Sequence, residues 1–283
     1  MRFSASRIKT WMDCPLQAHY HYDRQLPRRA TGAARFGTVM HEAVAVYYQT
    51  RGDHQRALDT FTQRWAVAAK DDLVWHPGTS FGGYMGRGKE MLERLHAGHR
   101  WQGYTHLGSE IGFVVPFGRH ELHGYIDELG IEKSGTGKEL LKVTDFKTST
   151  KLPTVTELAL DVQFSIYLFA VNQEQFWVGD GNEFTGIDNG AWLWATVGRD
   201  IPKRAIWRSL HTGRQLDAGP RTPTDYRRLL RVCEEIDKAI QADIHVPKIG
   251  PSRARCDFQD PCELEIPVAI NALNDDGDPN RWI

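Results

Sequence analysis

The hydrophobic period of this chain first changes near residue 108, and that change limits the folds open to it. Before it, "RFGTVMHEAVAVYYQT", "GDHQRALDTFTQRWAVAAK" and "GRGKEMLERLHAGHRW" repeat apolar residues at helical spacing. After it, "SEIGFVVPF", "ELHGYIDELGI" and "ELLKVTDFKT" are short β-rich runs parted by Gly-bearing turns, three strands in meander order. "TELALDVQFSIYLFAV" then returns to a helix, "GAWLWATV" to a strand and "TDYRRLLRVCEEIDKAIQA" to a helix. Ser4 is placed to cap a short opening helix, and from about residue 245 the chain reads as irregular and Pro-rich. The expectation is an α/β fold: a mixed sheet with flanking helices. It has an N-terminal helical portion over 1–107, a core over 108–262 and an acidic tail over 263–283, all within one compact domain. A chain of 283 residues is long enough to bury such a core.

Charge narrows the function. The 35 basic and 36 acidic side chains nearly cancel, so any polyanion must be held by a local patch rather than by a global field. No apolar run approaches the length of a membrane span. The opening "MRFSASRIKTW" lacks the apolar stretch of a secretory leader, which makes an intracellular protein the expectation. "SGTGKEL" imitates a phosphate loop. However, Glu132 and Glu139 stand where that loop needs Gly and Ser or Thr, so it reads as a hairpin turn.

Polar residues interrupt four otherwise apolar elements. In "LLKVTDFKTST" the strand sets Asp145 and Lys147 on one side and Phe146 on the other, because side chains alternate. Asp127 lies one strand earlier in "GYIDELGI", where an antiparallel neighbour can bring the two carboxylates to one sheet end. Two close carboxylates repel unless a cation lies between them, and oxygen-rich sites of this kind suit Mg²⁺ or Mn²⁺. On pattern alone a turn Asp and a plain ion pair explain these residues equally well, and Glu128, on the opposite face from Asp127, is as good a ligand. Gln163 and Tyr167 stand four apart on one helical face, where an amide and a phenol must find hydrogen bonds. His41 shares a helical face with Gly37, Val44 and Tyr48, and Gly37 admits close approach of a backbone or ligand.

Taken in order, these residues resemble the RecB-like branch of the PD-(D/E)XK nuclease superfamily, which includes the CRISPR-associated exonucleases. "FSASRIKTWMDCPLQAHYHY" is similar to the family's opening and "GTVMHE" to its Gly-x-x-x-His helix. "GYIDELGI" matches its Gly-x-x-Asp strand, "VTDFKTS" its Asp-x-Lys strand and "DVQFSIY" its Gln-x-x-x-Tyr helix. The resemblance runs to about residue 262 and implies a restriction-endonuclease-like core. It implies that His41, Asp127 and Asp145 bind a divalent cation, helped by the carbonyl of Phe146, and it selects Asp127 over Glu128. Lys147 would act on the attacking water or the scissile phosphate, Gln163 would position one of them, and Tyr167 would contact DNA or buttress the site. Glu110 is expected as a supporting or structural acid. The activity implied is metal-dependent exonucleolytic hydrolysis of DNA, in recombination, repair, or phage or CRISPR DNA processing, with any helicase or recombination protein a separate chain.

Four cysteines in a reducing compartment argue against a disulfide framework and for metal ligation or simple burial. Cys14, Cys256 and Cys262 match three of the four cysteines that many family members give to a 4Fe–4S cluster, but Arg253 stands where the fourth is expected. Cys233 falls on the apolar face of the late helix and reads as packing. Without a cluster, the three cysteines would pack the tail against the first helix. Arg24, Arg28, Arg35, Arg87, Lys89, Lys203 and Arg204 cluster locally and are candidate phosphate contacts, with single-stranded or frayed DNA the expected substrate. Two other classes compete: a non-cleaving DNA-end-binding or assembly subunit, and a metal-free carboxylate hydrolase. The first has little need of the acid pair and its lysine, and the second leaves His41 and Lys147 without roles.

Overall fold

Aromatic and aliphatic side chains gather on one face of each early helix, and their burial sets the first layer of the fold. The computed structural model describes residues 1–173, 177–179, 201–250 and 256–264. The chain divides into two compact units, one of residues 1–6 and 30–235, the other of residues 7–29 and 236–283.

In the first unit, α3 (Gly32–Gln49), α4 (His54–Ala68) and α5 (Phe81–Gly98) are the three helices expected from the early periodicity. Each begins on a side-chain cap: Thr31 accepts from the Ala34 amide, Asp53 from Arg56 and Ser80 from Gly83. Their apolar faces meet in a cluster of Phe36, Phe61, Trp65 and Tyr84, all buried. Each such ring taken fully from water contributes about 1.5–3 kcal/mol. Gly88 of α5 faces this cluster so closely that a Cβ there would lie 2.1 Å from the Phe61 ring.

The strands follow the expected meander and extend it. β2 (Tyr104–Phe117), β3 (His120–Lys133) and β4 (Glu139–Lys147) are antiparallel neighbours. Gly118, at φ +60°, takes the first place of the two-residue turn that pairs Phe117 with His120. The "SGTGKEL" segment is the hairpin turn between β3 and β4, closed by the Ser134 amide on the Lys138 carbonyl. After β4 the chain crosses back to β6 (Lys203–Ser209), which is parallel to β4 and followed by antiparallel β7 (Gln215–Asp217). Among the described residues the sheet has seven strands: six run in the order β5-β2-β3-β4-β6-β7, with β5 (Trp177–Gly179) at the edge beside β2, and β1 (Arg2–Phe3) pairs in parallel with β3 off this path. The expected strand "GAWLWATV" lies outside the described residues.

The crossover differs from expectation in one respect: "TELALDVQFSIYLFAV" is two helices, α6 (Val155–Ala159) and α7 (Val162–Ala170). The Asp161 carboxylate accepts the amides of Gln163 and Phe164, at 2.7 and 3.3 Å, and so starts a new helix where an unbroken one would run on. Helix α8 (Pro223–Gln241) is the expected late helix.

The second unit has its own small nucleus. Helix α1 (Ala5–Asp13), whose first residues belong to the first unit, leads into α2 (Pro15–Ala18) and a π-turn at His19–Asp23. Tyr20 and Phe258 are buried with ring centroids 5.7 Å apart, and the Tyr20 hydroxyl donates to the Pro261 carbonyl at 3.3 Å. The late segment is not wholly irregular: α9 (Gln259–Leu264) forms, with Pro261 in its first turn, where a missing amide hydrogen is tolerated. Among the described residues, no helix is long and apolar enough to cross a membrane.

Candidate active site

Strand register carries the acidic residues to one place. Ser109 pairs with Glu128 and Ile111 with Ile126, so Glu110 of β2 stands across from Asp127 of β3. Glu110 holds a φ of +51°, a left-handed backbone that a non-glycine residue rarely adopts outside functional or tightly constrained positions. From α3, His41 places Nδ1 3.4 Å from Glu110 Oε1 and 3.4 Å from Asp127 Oδ2. These three residues offer ligand atoms that all lie within 4.8 Å of one another. Burial works against a charge on His41, but Asp127 and then Glu110 overcome it and push the imidazole pKa up to about 10. A proton thus occupies the place between carboxylates that a cation suits. Gly37 does not bring another backbone near: a Cβ there would meet only the Thr148 hydroxyl, at 3.9 Å.

Asp145 is 1 % exposed and stands beside this group rather than within it. Its Oδ1 accepts from Lys147 Nζ at 2.9 Å and from Gln163 Nε2 at 2.9 Å, while Oδ2 lies 2.8 Å from the same ammonium. Burial raises the carboxyl above its usual range, Lys147 opposes that, and the charge of Asp127 adds to it. Lys147 is likewise penalised by burial, yet Asp145 and then Asp127 raise its pKa overall, so it remains an ammonium. Gln163 Nε2 also donates to the Tyr167 hydroxyl at 2.7 Å. Tyr167 is buried, which with the nearby carboxylates keeps it a phenol.

Asp127 Oδ2 accepts the Phe146 amide at 2.7 Å, and the β3–β4 ladder ends just before, at Glu128 with Thr144. A side chain therefore takes over from the backbone and lets the two strands separate around the acids. The Phe146 amide thus has its own role here, apart from the metal contact expected of its carbonyl.

Glu128 turns away from the group, as alternation requires, and finds its own partners. The Tyr104 hydroxyl donates to it and His106 Nδ1 lies 3.5 Å away. Burial pushes the Glu128 carboxyl up to about 8 and depresses His106 to about 4, so their contact is neutral at pH 7 despite its ion-pair geometry. Nearby, Arg208 Nη1 donates to the Tyr48 hydroxyl at 2.9 Å, and His99 is driven down to about 3, by burial first and then by Arg208. This buried network carries no motif that sequence could have flagged.

The other predicted residues are placed as follows. Arg28 pairs with Asp257 at 3.0 Å, Arg35 with Asp71 at 3.0 Å and Arg204 with Asp217 at 2.8 Å. Arg24 lies over the Tyr20 ring and Arg87 over Tyr84, Lys203 donates to the Ile201 carbonyl, and Lys89 is exposed. Cys14, Cys256 and Cys262 line one cavity of about 190 Å³ in the second unit, with Asp13, Tyr20 and Phe258. Cys14 Sγ already accepts the amides of Gln17 and Lys248, at 3.4 and 3.3 Å. A cubane takes four thiolates, and Cys233 does not supply the fourth: it is fully buried in α8, its thiol pushed up to about 12 by burial. The expected fourth position, Arg253, lies outside the described residues. The set is one thiolate short of a cluster.

A family model described as the PD-(D/E)XK nuclease superfamily matches residues 2–263. No curated protein matches in sequence. Among solved structures, SSO0001 is similar over 94 % of this chain and 87 % of its own, at 12 % identity and a TM-score of 0.34. A Eubacterium rectale protein that bears the name of an exonuclease is similar over 96 % of this chain and 92 % of its own, at 11 % identity and a TM-score of 0.47. Both likenesses are remote. The family match spans nearly the whole chain, which therefore belongs to the PD-(D/E)XK nuclease superfamily.

Proposed function

We propose that this protein is a divalent-metal-dependent deoxyribonuclease of the RecB-like branch, hydrolysing phosphodiester bonds at the ends of single-stranded or frayed DNA. The observation that carries the reading is the convergence of His41, Glu110 and Asp127 beside an Asp145–Lys147–Gln163 triad. The donors fit a hard cation: two carboxylates face one imidazole that now holds a proton between them. His41, Asp127 and Asp145 would hold Mg²⁺ or Mn²⁺, with Glu110 as a further oxygen donor. Such an ion supplies a hydroxide-like nucleophile at neutral pH and offsets charge on the phosphoryl oxygens.

The chain's own groups do the rest. Lys147 stays an ammonium at neutral pH and so presents a fixed positive charge where the phosphate gains negative charge. Gln163 holds the Asp145 carboxylate, and Tyr167 in turn holds the Gln163 amide. His41 must give up its proton before it can ligate, so metal and proton compete for one nitrogen. Arg24, Arg28, Arg35, Arg87, Lys89, Lys203 and Arg204 are each candidate phosphate contacts, in a recombination, repair, or phage or CRISPR setting. The alternative, a DNA-end-binding subunit that does not cleave, leaves unexplained why a carboxylate 1 % exposed is kept ionisable beside a lysine. Burying such a pair carries a desolvation penalty that packing alone gives no reason to bear.

The test is incubation with end-labelled single- and double-stranded DNA, with Mg²⁺ or Mn²⁺ and with a chelator. Asp127→Ala and Lys147→Ala should each lower cleavage by at least about 100-fold while leaving the fold intact, as loss of a charge aimed at the transition state does. Cleavage that survives both substitutions, or the chelator, overturns the reading.

A further inference from the structure

One arginine outside every motif has its donors committed to the joint that carries Gln163 and to the turn after β7. Arg221 lies half-buried between β7 and α8. Its Nε donates to Ser165 Oγ at 2.9 Å. Nη1 donates to the carbonyls of Ala218 and Gly219, at 2.7 and 3.1 Å. Nη2 donates to the carbonyls of Leu158 and Asp161, at 2.8 and 3.4 Å. A guanidinium offers five N–H groups in a rigid planar fork, and the five acceptors use that capacity in full.

The acceptors are informative. Leu158 is in the last turn of α6, where carbonyls lose their helical partners. Asp161 is the cap residue of α7, and Ser165, one turn on, donates to the same Asp161 carbonyl at 2.9 Å. Arg221 therefore ties the end of α6, the start of α7 and the turn after β7 into one rigid corner. The Asp161 cap in turn takes the Gln163 amide, and Gln163 Nε2 reaches Asp145 Oδ1.

We infer that Arg221 is a positioning residue for phosphodiester hydrolysis: it holds the first turn of α7 so that Gln163 keeps Asp145 aligned with Lys147. The inference rests on the nuclease reading above. A purely structural tie would lower stability and leave the rate of the folded enzyme unchanged. Lysine at this position keeps the charge but brings three donors at a single point, so carbonyls at the corner go unpaired and the first turn of α7 shifts.

Arg221→Lys and Arg221→Ala are compared with wild type on end-labelled single-stranded DNA with Mn²⁺, alone and combined with Gln163→Ala. In Arg221→Lys, kcat should fall about tenfold, because small misplacements of aligned groups are costly, with KM within about twofold. Added to Gln163→Ala, the same substitution should have no further effect, since both act through one contact. Losses that multiply in the double variant, or an unchanged kcat in folded Arg221→Lys, overturn the inference. Hydrogen exchange on the same variants gives a readout independent of activity. Exchange should quicken across residues 158–165 and in the turn around residues 218–222, and unaltered exchange across 158–165 also overturns the inference. A wild-type chain that cleaves no DNA sinks the nuclease reading instead, and exchange still decides whether Arg221 holds α7.

Discussion

Single residues show how finely position decides role. Asp127 and Glu128 are neighbours with the same chemistry, yet one enters the acidic group and the other is a buried acid under Tyr104. Glu110, expected only in support, lies as near to His41 as Asp127 does. Glu110→Gln should therefore weaken Mn²⁺ binding by roughly tenfold, the scale of a lost charged contact, measured by calorimetric titration. Unchanged affinity would remove Glu110 from the ligand set. His99 supports a second expectation. The unfolded chain takes up a proton near 6.5 at this position, the folded chain only near 3. Stability from the neutral ring is therefore complete above about 6.5 and drains away as pH falls toward 3. His99→Asn puts an acceptor where Nδ1 meets the Tyr48 hydroxyl and cannot titrate. Its Tm should fall less than that of wild type between about pH 7 and pH 4; parallel Tm curves would refute this.

At the scale of elements, caps and close contacts decide where each helix lies. The break between α6 and α7 was hidden in a continuous apolar pattern because a capping Asp looks like any polar residue within a helix. The α4–α5 contact depends on Gly88. Gly88→Ala drives a methyl into the buried Phe61 ring and should destabilise the protein by about 1–3 kcal/mol, the usual range for overpacking. The change is measurable by urea unfolding with an unchanged m-value. Stability equal to wild type would mean that the helices can part there. Helix periodicity, hairpin turns and the late amphipathic helix were all legible, since each is written in local spacing.

For the whole molecule, near-neutral charge means that the proposed binding of DNA would rest on local basic groups. If several of them contact phosphates, binding should weaken steeply with salt, with a log–log slope near −0.7 for each phosphate neutralised on a single strand. A flat response from about 50 to 200 mM salt would remove those contacts. The sequence by itself determined the α/β order of elements and the dismissal of "SGTGKEL" as a turn, and through the family resemblance it nominated His41, Asp127, Asp145, Lys147, Gln163 and Tyr167. The elements and the turn rest on spacing along the chain, and the nominated set rests on the order of motifs that resembles the family. Only the tertiary structure decided that Glu110 faces Asp127, that Asp127 captures the Phe146 amide, that Tyr104 partners Glu128, and that Arg221 closes the corner behind Gln163. These contacts join residues far apart in sequence through strand register and a crossover connection. Alternation tells which side of its own strand a residue faces, but only pairing between strands tells what it meets there.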